Sequence, residues 1–339
     1  MIKLFITGGA GFIGSAFIRV ALAELPHCKI VNFDALTYAG NLDNLSDVVD
    51  SRYTFKRGDI TDRHAVLSAL GNGTDIIINF AAESHVDRSI ASADVFLRTN
   101  VLGTQVLLDA ARERGVGRFV QISTDEVMGS LPEDNEAYFT EDTPFAPNSP
   151  YAASKAAAEH LVRAAHHTFG LDTLITRCGN NYGPRQFPEK LLPLLLTNAL
   201  RDEPIPVYGD GRNVRDWIYV DDHCRAILAV LTNGRAGDVY NIGARNQRRN
   251  IELVESVLTF LGKPASLIRY VKDRPGHDRR YAIDPSKIET ELGWRPCETW
   301  QSGLAKTIAW YQDNPLWIRR AKSGAYRDYY AQQYGKLAG

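Results

Sequence analysis

The sequence is poor in cysteine, carries no excess of either charge and contains no long apolar run. Cys28, Cys178, Cys224 and Cys297 are its 4 cysteines and stand at no paired spacing. That excludes a Cys-x-x-Cys zinc pattern and a disulfide framework, so no metal is expected and the four read as reduced core thiols. With 39 basic against 40 acidic residues the net charge is −1, and nothing in that balance calls for a nucleic-acid or membrane partner. Apolar stretches are short and interrupted, as in Leu191-Leu192-Pro193-Leu194-Leu195-Leu196, too broken for a transmembrane helix. The chain opens directly on a strand-like run without a cleavable leader pattern, which points to a cytoplasmic protein. Internal repeats and low-complexity tracts are absent. What remains is a globular composition, 339 residues with 44% hydrophobic and 23% charged, enough for one large domain or two modest ones.

The most informative segment is Gly8-Gly9-Ala10-Gly11-Phe12-Ile13-Gly14. It follows the apolar run Lys3 to Thr7 and leads into the helix-like Ser15 to Leu22, so a strand turns on glycines into a helix. Gly8 and Gly11 permit a tight bend close to phosphates, Gly14 permits close helix–strand packing, and the helix start offers unpaired N–H groups to a pyrophosphate. Asp34 ends the next apolar run, 20 residues after Gly14. A carboxylate there accepts hydrogen bonds from an adenosine ribose and repels a 2′-phosphate, which favours NAD over NADP.

Beyond Asp34 an alternation continues. Strands are predicted at 53–56, 75–80, 118–123 and 172–176, with helices at 62–70, 93–114 and 150–169. Such alternation predicts parallel pairing, right-handed crossovers and helices on both faces: an α/β, doubly wound parallel sheet of Rossmann type, with ligands at the carboxyl ends of the strands. After residue 180 the rhythm breaks, with glycine and proline frequent and helices near 252–261 and 302–312. Residues 1–180 therefore read as an NAD-binding domain to which 219–243 return, and 181–339 mainly as a smaller α/β substrate-binding lobe. The tail with Tyr326, Tyr329, Tyr330 and Tyr334 reads as a packed C-terminal segment. The long helices at 95–114 and 150–169 fit either a four-helix bundle between two copies or packing on their own sheet.

Ser149-Pro150 marks a helix start, with Ser as N-cap and Pro at the first position, so Tyr151 and Lys155 share a face one turn apart. An ammonium beside a phenol favours the phenolate. Together with a nicotinamide cation it would bring Tyr151 down from about 10 toward the physiological range, as a base for a sugar hydroxyl. Tyr-x-x-x-Lys also occurs on ordinary solvated helices. Asp125 and Glu126 sit with Thr124 at the end of a strand. They are either an acid and base pair whose environments separate their pKa values, or a turn and helix-capping cluster.

Taken together, Gly8 to Gly14, Asp34 to Asn41, Ala81 to Ser89, Ser123 to Val127 and Tyr151-x-x-x-Lys155 resemble the extended short-chain dehydrogenase/reductases. Within them, the nearest resemblance is to the dTDP-glucose 4,6-dehydratases. It continues through Cys178 to Lys190, Pro206 to Gly211, Arg215 to Val220 and Asp273 to Asp278, nearly the whole chain. The Thr-Asp-Glu triplet is its specific part, because epimerases of the superfamily usually lack the acidic pair. The resemblance implies an NAD-dependent hydro-lyase, a nucleotide-diphosphate-sugar substrate and a homodimer. Tyr151 would take the 4-hydroxyl proton, Glu126 the C5 proton, Asp125 would protonate the departing 6-hydroxyl, Thr124 would bind the 4-hydroxyl, and Lys155 would bond the nicotinamide ribose.

Position by position, the resemblance puts Phe12, Ile13, Ala35, Leu36, Thr37, Asp59, Ile60, Phe80, Ala81, Ala82, Glu83, Ser84, Thr99 and Asn181 beside the cofactor. Ser84, Asn180, Lys190, Leu191, Pro206, Val207, Tyr208, Arg215, Asn250, Asp273, Arg274, Pro275, Gly276 and His277 would line the sugar-nucleotide site. Arg215, Arg274 and His277 are donors for a diphosphate, or members of ordinary salt bridges. His85 matches a cofactor-side loop and reads as structural. Where the family usually reads Asp-Glu-Val-Tyr-Gly this chain has Met128, apolar and adaptable enough to fill the space of the ring. Other dehydratases of UDP-, CDP- or GDP-sugars, a 4-epimerase or decarboxylase, and a non-enzymatic dinucleotide-binding relative are the competing readings. The acidic pair argues against the epimerase, and retention of Tyr151 and Lys155 against the last.

Overall fold

A computed structural model describes residues 1–133 and 136–323, so the tyrosine-rich tail lies outside the described residues. Six strands alternate with helices along the chain: β1 (Ile2–Thr7), β2 (Cys28–Asp34), β3 (Tyr53–Arg57), β4 (Ile76–Asn79), β5 (Arg118–Thr124) and β6 (Thr173–Cys178). With Val239–Ile242 they form one sheet in the order Val239–Ile242, β6, β5, β4, β1, β2, β3, and every neighbouring pair is parallel. The strands are apolar on both sides because both faces are covered. On one face Phe17, Ile18, Ile227 and Val230 from helices Phe12–Glu24 and Val220–Asn233 pack with Leu4 and Ile30. On the other, Val66, Leu107 and Val162 from helices Arg63–Leu70, Thr104–Arg114 and Pro150–Phe169 pack with Phe5 and Phe119. This is the doubly wound sheet the alternation predicts.

The strand order reverses between β1 and β4, and the crevice at such a switch point is where ligands bind. Gly8 ends β1 at φ +68, and a Cβ there would stand 2.6 Å from the Ala81 nitrogen at the end of β4. A Cβ on Gly14 would meet the Gly8 carbonyl oxygen at 2.4 Å. The two glycines thus let turn, helix and neighbouring strand close on one point.

The expected helix at 93–114 is not uniform. Asp94–Phe96 and Thr104–Arg114 are α-helical, but Leu97–Gly103 opens into a π turn. Wide turns of this kind occur at functional sites, and this one carries Thr99 and Asn100. Asn100 bonds both backbone groups of Glu83, accepting from N at 2.9 Å and donating to O at 3.0 Å, so it fixes the loop after β4. Past residue 180, short strands that periodicity does not reveal form two small sheets, Gln247–Arg249 with Val214–Tyr219 and Asn180–Tyr182, and Ile268–Val271 with Ile205–Tyr208. They share an aromatic-rich core with helices Leu191–Ala199, Asn250–Leu261 and Trp300–Asp313, including Tyr182, Trp217, Trp300 and Tyr311. Cys28, Cys178 and Cys224 are buried as expected, but Cys297 is exposed, since the segment before helix Trp300–Asp313 runs along the surface. No helix among the described residues is long and apolar enough to cross a membrane.

The Gly8–Gly14 contact gives a direct test. Gly14→Ala should cost about 1–3 kcal/mol by overpacking against backbone that cannot yield, and it should lower the thermal midpoint and NAD content together; a variant that melts like wild type and retains NAD would refute the close approach.

Candidate active site

One cavity opens at the carboxyl ends of the strands, and its wall contains every expected cofactor residue except Leu36. Asp34 is buried, and its carboxylate accepts from the backbone N–H of Ala10 at 2.9 Å and of Leu36 at 2.8 Å. Leu36 serves through its backbone, at φ 55. Burial raises the Asp34 pKa while the two amide bonds oppose the rise. Each oxygen retains a further lone pair, so the carboxylate that braces the loop can still meet a ribose. The wall therefore fits a dinucleotide: an acidic group 24 residues beyond Ala10, a helix N-terminus with Gly11 as N-cap and no side chain across it, and glycines where a Cβ would intrude.

The same wall continues into Thr124, Asp125, Glu126, Tyr151 and Lys155. Ser149 caps helix Pro150–Phe169 by accepting from Ala152 N at 3.1 Å, which turns Tyr151 and Lys155 toward the end of β5. Thr124 caps a short 3-10 turn, Asp125–Met128, and its hydroxyl accepts from Glu126 N at 3.3 Å and lies 3.4 Å from Asp125 Oδ1. The acids begin a capped turn, as the capping reading expects, and they also line the cavity.

Their environments differ. Asp125 is pushed well above the usual carboxylate range, by burial first and then by Glu126 and Asp216, and its buried Oδ2 has no partner among the described residues. Glu126 is also raised by burial, but Arg274, Lys190 and Arg215 pull against that. Both carboxyls are raised, but nearby carboxylates add to the rise of Asp125 whereas cations oppose that of Glu126.

Tyr151 departs from its sequence-based expectation. Burial and the negative potential of Glu126 hold the phenol well above its ordinary value, and the Thr124 hydroxyl only partly offsets this. Lys155 donates to the Ile122 carbonyl at 2.6 Å, and burial brings it down to about 8 against the support of Glu159. The protein alone therefore keeps the phenol protonated.

Of the expected sugar-nucleotide residues, Ser84, Thr124, Asn180, Lys190 and Leu191 share this wall. Pro206, Val207, Tyr208, Arg215, Asn250 and Asp273 to His277 do not. Asp87 gathers two of them, accepting from the Tyr208 hydroxyl at 3.0 Å and from Arg274 Nη1 at 3.2 Å. His277 pairs with Asp273 at 2.6 Å, and burial first, then Arg274, brings it down to about 4. Arg215 donates to the Asp278 carbonyl at 2.9 Å and stacks over Tyr281 at 4.2 Å. Val207 is core, Pro206 is buried beside it, Asn250 starts helix Asn250–Leu261, and Pro275-Gly276 form the turn at Asn148, 2.8 Å from a Cβ on Gly276. The salt-bridge reading describes Arg274, which is paired with Asp87, whereas the neutral His277 is hydrogen-bonded to Asp273. Arg274 and Arg215 still act on Glu126 through space.

His85 is buried before the short helix Val86–Ala91 and held neutral, with burial bringing it down to about 3, as a structural role requires. Met128 is buried with Val127, Phe139, Ala156 and Tyr281, filling space behind the acidic turn. Sequence reasoning assigned no role to Gln186, Phe187, Glu189 and Trp217, which also line the cavity. The Arg88 guanidinium lies 4.0 Å over the Tyr38 ring and pairs with Glu189 at 3.2 Å. Only the tertiary fold brings these three distant loops together, so no local pattern announces them.

A glycine turn at the switch point, an acidic ribose partner and a Tyr-x-x-x-Lys helix on one cavity define an extended short-chain dehydrogenase/reductase. The sequence profile of the GDP-mannose 4,6 dehydratase family matches residues 5–307. A dTDP-glucose 4,6-dehydratase of Xanthomonas campestris pv. campestris is 51% identical, over 96% of this chain and 98% of the relative. The crystal structure of DesIV, a dTDP-glucose 4,6-dehydratase from Streptomyces venezuelae with NAD and TYD bound, is similar with a TM-score of 0.92 and 52% identity, covering 95% of this chain and 100% of that one. A Thermus thermophilus UDP-glucose 4-epimerase complex with NAD is similar at 0.85 and 30% identity, covering 92% and 100%. The chain belongs to the dTDP-glucose 4,6-dehydratase family.

The raised pKa of Asp125 has a consequence for stability. A carboxyl that holds its proton more tightly when folded contributes stability below its unfolded pKa and loses it as pH rises through the folded value. Asp125→Asn removes that loss, so the thermal midpoint of the variant should exceed wild type by more at pH 8 than at pH 5; an equal difference at both would show that Asp125 ionises normally.

Proposed function

We propose that the chain dehydrates dTDP-glucose to dTDP-4-keto-6-deoxyglucose and water, with NAD as its resident cofactor. The observation that carries this reading is the convergence of Asp125, Glu126 and Tyr151 on the cavity that the glycine turn begins. Held by the glycine turn and Asp34, NAD would supply the redox chemistry, taking up a hydride from C4 and giving it back at C6. Thr124 orients the 4-hydroxyl, and Tyr151 takes its proton. A positive charge beside the phenol would oppose the burial that holds it high. With C4 a ketone, the C5 proton becomes acidic enough for Glu126, the carboxyl that three cations favour as the anion. Asp125 retains the proton that the departing 6-hydroxyl needs, because an unprotonated hydroxyl leaves poorly. Lys155 holds the nicotinamide ribose and keeps positive charge beside the phenol.

The rest of the arrangement is assigned on the same footing. Residues 1–180 with 219–243 hold NAD and the remainder mainly holds the nucleotide sugar, with Arg215, Arg274 and His277 changing partners to meet the diphosphate. Exposed Val95, Leu97 and Leu102 on the helical run before Thr104 support a homodimer through that face. The balanced charge and broken apolar runs support a cytoplasmic enzyme without nucleic-acid or membrane partners.

Purified protein given dTDP-glucose without added NAD should form a product lighter by one water, and UDP-glucose should turn over far more slowly; no turnover of the first would defeat the assignment. Glu126→Gln should retain NAD but lower solvent deuterium incorporation at C5 by about 100-fold or more, the scale of a lost general base. Normal incorporation would remove Glu126 from that role.

A further inference from the structure

Helix Pro150–Phe169 has one more buried ionisable group beneath the reacting pair. Tyr151, Lys155 and Glu159 stand four residues apart, so they form one stripe, and all three are buried. Each acts on one of three successive residues at the end of β5: the Thr124 hydroxyl favours the Tyr151 phenolate, Lys155 Nζ donates to Ile122 O at 2.6 Å, and Glu159 Oε1 accepts from Ser123 Oγ at 2.5 Å. The next strand closes the arrangement. Ser123 is registered opposite Arg177 on β6, and Arg177 donates to both Glu159 oxygens, Nε to Oε1 at 3.2 Å and Nη2 to Oε2 at 2.9 Å. Arg177 Nη1 is anchored in turn by the Glu141 carbonyl at 3.1 Å. One carboxylate therefore ties the helix to two strands directly behind Thr124.

We propose that Glu159 is a positioning residue for this chemistry, holding the Lys155 ammonium in its charged form and keeping the end of β5 in register with Tyr151. The idea rests on the reading of Tyr151 and Lys155 given above. Lys155 stands one turn from Tyr151 and from Glu159 on its own helix, donates to Ile122 O on β5 and feels Glu159 and Cys178, the latter on β6. Of these, Glu159 is the foremost group favouring its charge, and Cys178 follows. Cys178 itself stays a thiol, raised by burial to about 12. A buried ion pair adds little net stability over an apolar replacement, whereas a fixed negative charge one turn below the lysine acts directly on its proton.

The test follows the Lys155 proton, by NMR titration of the holoenzyme made with isotope-labelled lysine, the signal being assigned by its loss in Lys155→Met. Glu159→Gln should lower the Lys155 midpoint by about 1 pH unit or more, and the alkaline limb of kcat with dTDP-glucose should move toward acid by the same amount, with activity recovering at lower pH. Glu159→Asp, which retains the charge, should leave both near wild type. If the single Gln variant does not fold because Arg177 is left unpaired, Glu159→Gln/Arg177→Met is compared with Glu159→Asp/Arg177→Met, which differs from it only in the carboxylate, and the shift between the two is read in the same way. A Lys155 midpoint that stays in place while kcat falls equally at every pH would overturn the proposal and leave Glu159 only structural. Failure of the wild-type enzyme to turn over dTDP-glucose would defeat the functional assignment instead, while the titration would still judge Glu159.

Discussion

Removal of ionisable groups from water at the end of β5 is the constraint on which the rest of the site depends. Burial is the largest influence on Asp125, Glu126, Tyr151, Lys155 and Lys190 alike. In a low-dielectric pocket the charged form of each is disfavoured, and neighbouring charges count for more than they would in solvent. The groups therefore do not titrate as they would on a surface. Small differences in who stands beside whom decide which carboxyl carries a proton. Glu126 and Asp216 add to the rise of Asp125, whereas Arg274, Lys190 and Arg215 oppose that of Glu126. Two acidic residues adjacent in sequence thus stand in different electrostatic surroundings.

The same constraint explains why the tyrosine cannot be read from its helix alone. Tyr151 and Lys155 share a face, as the four-residue spacing requires, yet the lysine spends its hydrogen bond on Ile122 O while Glu126 keeps the phenol protonated. The four-residue spacing alone therefore does not set the state of the phenol; its burial is the larger influence. The related epimerase fold at 30% identity shows that this scaffold serves other nucleotide-sugar chemistry.

Features set by local stereochemistry were legible in the sequence. The glycine turn, Asp34 at the end of β2, the Ser149-Pro150 helix start and the strand–helix alternation follow from rules acting over a few residues, and the parallel sheet follows from their repetition, whereas the other cofactor-side positions come from the family resemblance. Features made by distant pairings were not. The π turn at Leu97–Gly103 lies within an ordinary helical pattern, because a one-residue widening leaves the apolar stripe nearly unchanged. The short strands after residue 180 are below the length at which alternation is informative. Arg274 and His277 were legible as charges, but their partners Asp87 and Asp273 depend on tertiary placement. Glu159 reads in sequence as one more acidic residue on an amphipathic helix, and only the registry of Ser123 with Arg177 reveals why it is buried.

Polar groups at the site are held by other polar groups, and this has a cost that the fold must offset. Asn79 is bonded to Thr7 at 2.6 Å and Gln121 at 2.9 Å, Asn100 clamps Glu83 and bonds Ser154 at 2.8 Å, and Glu159 joins Ser123 to Arg177. Such networks orient side chains more narrowly than apolar packing does, because each bond has a direction. They contribute less to stability than the same volume of hydrocarbon would. The apolar burial that compensates lies elsewhere, in the two layers on either face of the sheet and in the aromatic core around Trp217 and Trp300. Stability and orientation are thus separated in space: hydrophobic layers hold the sheet flat against its helices, and the hydrogen-bonded seam along β4 and β5 aims their carboxyl ends at the cavity.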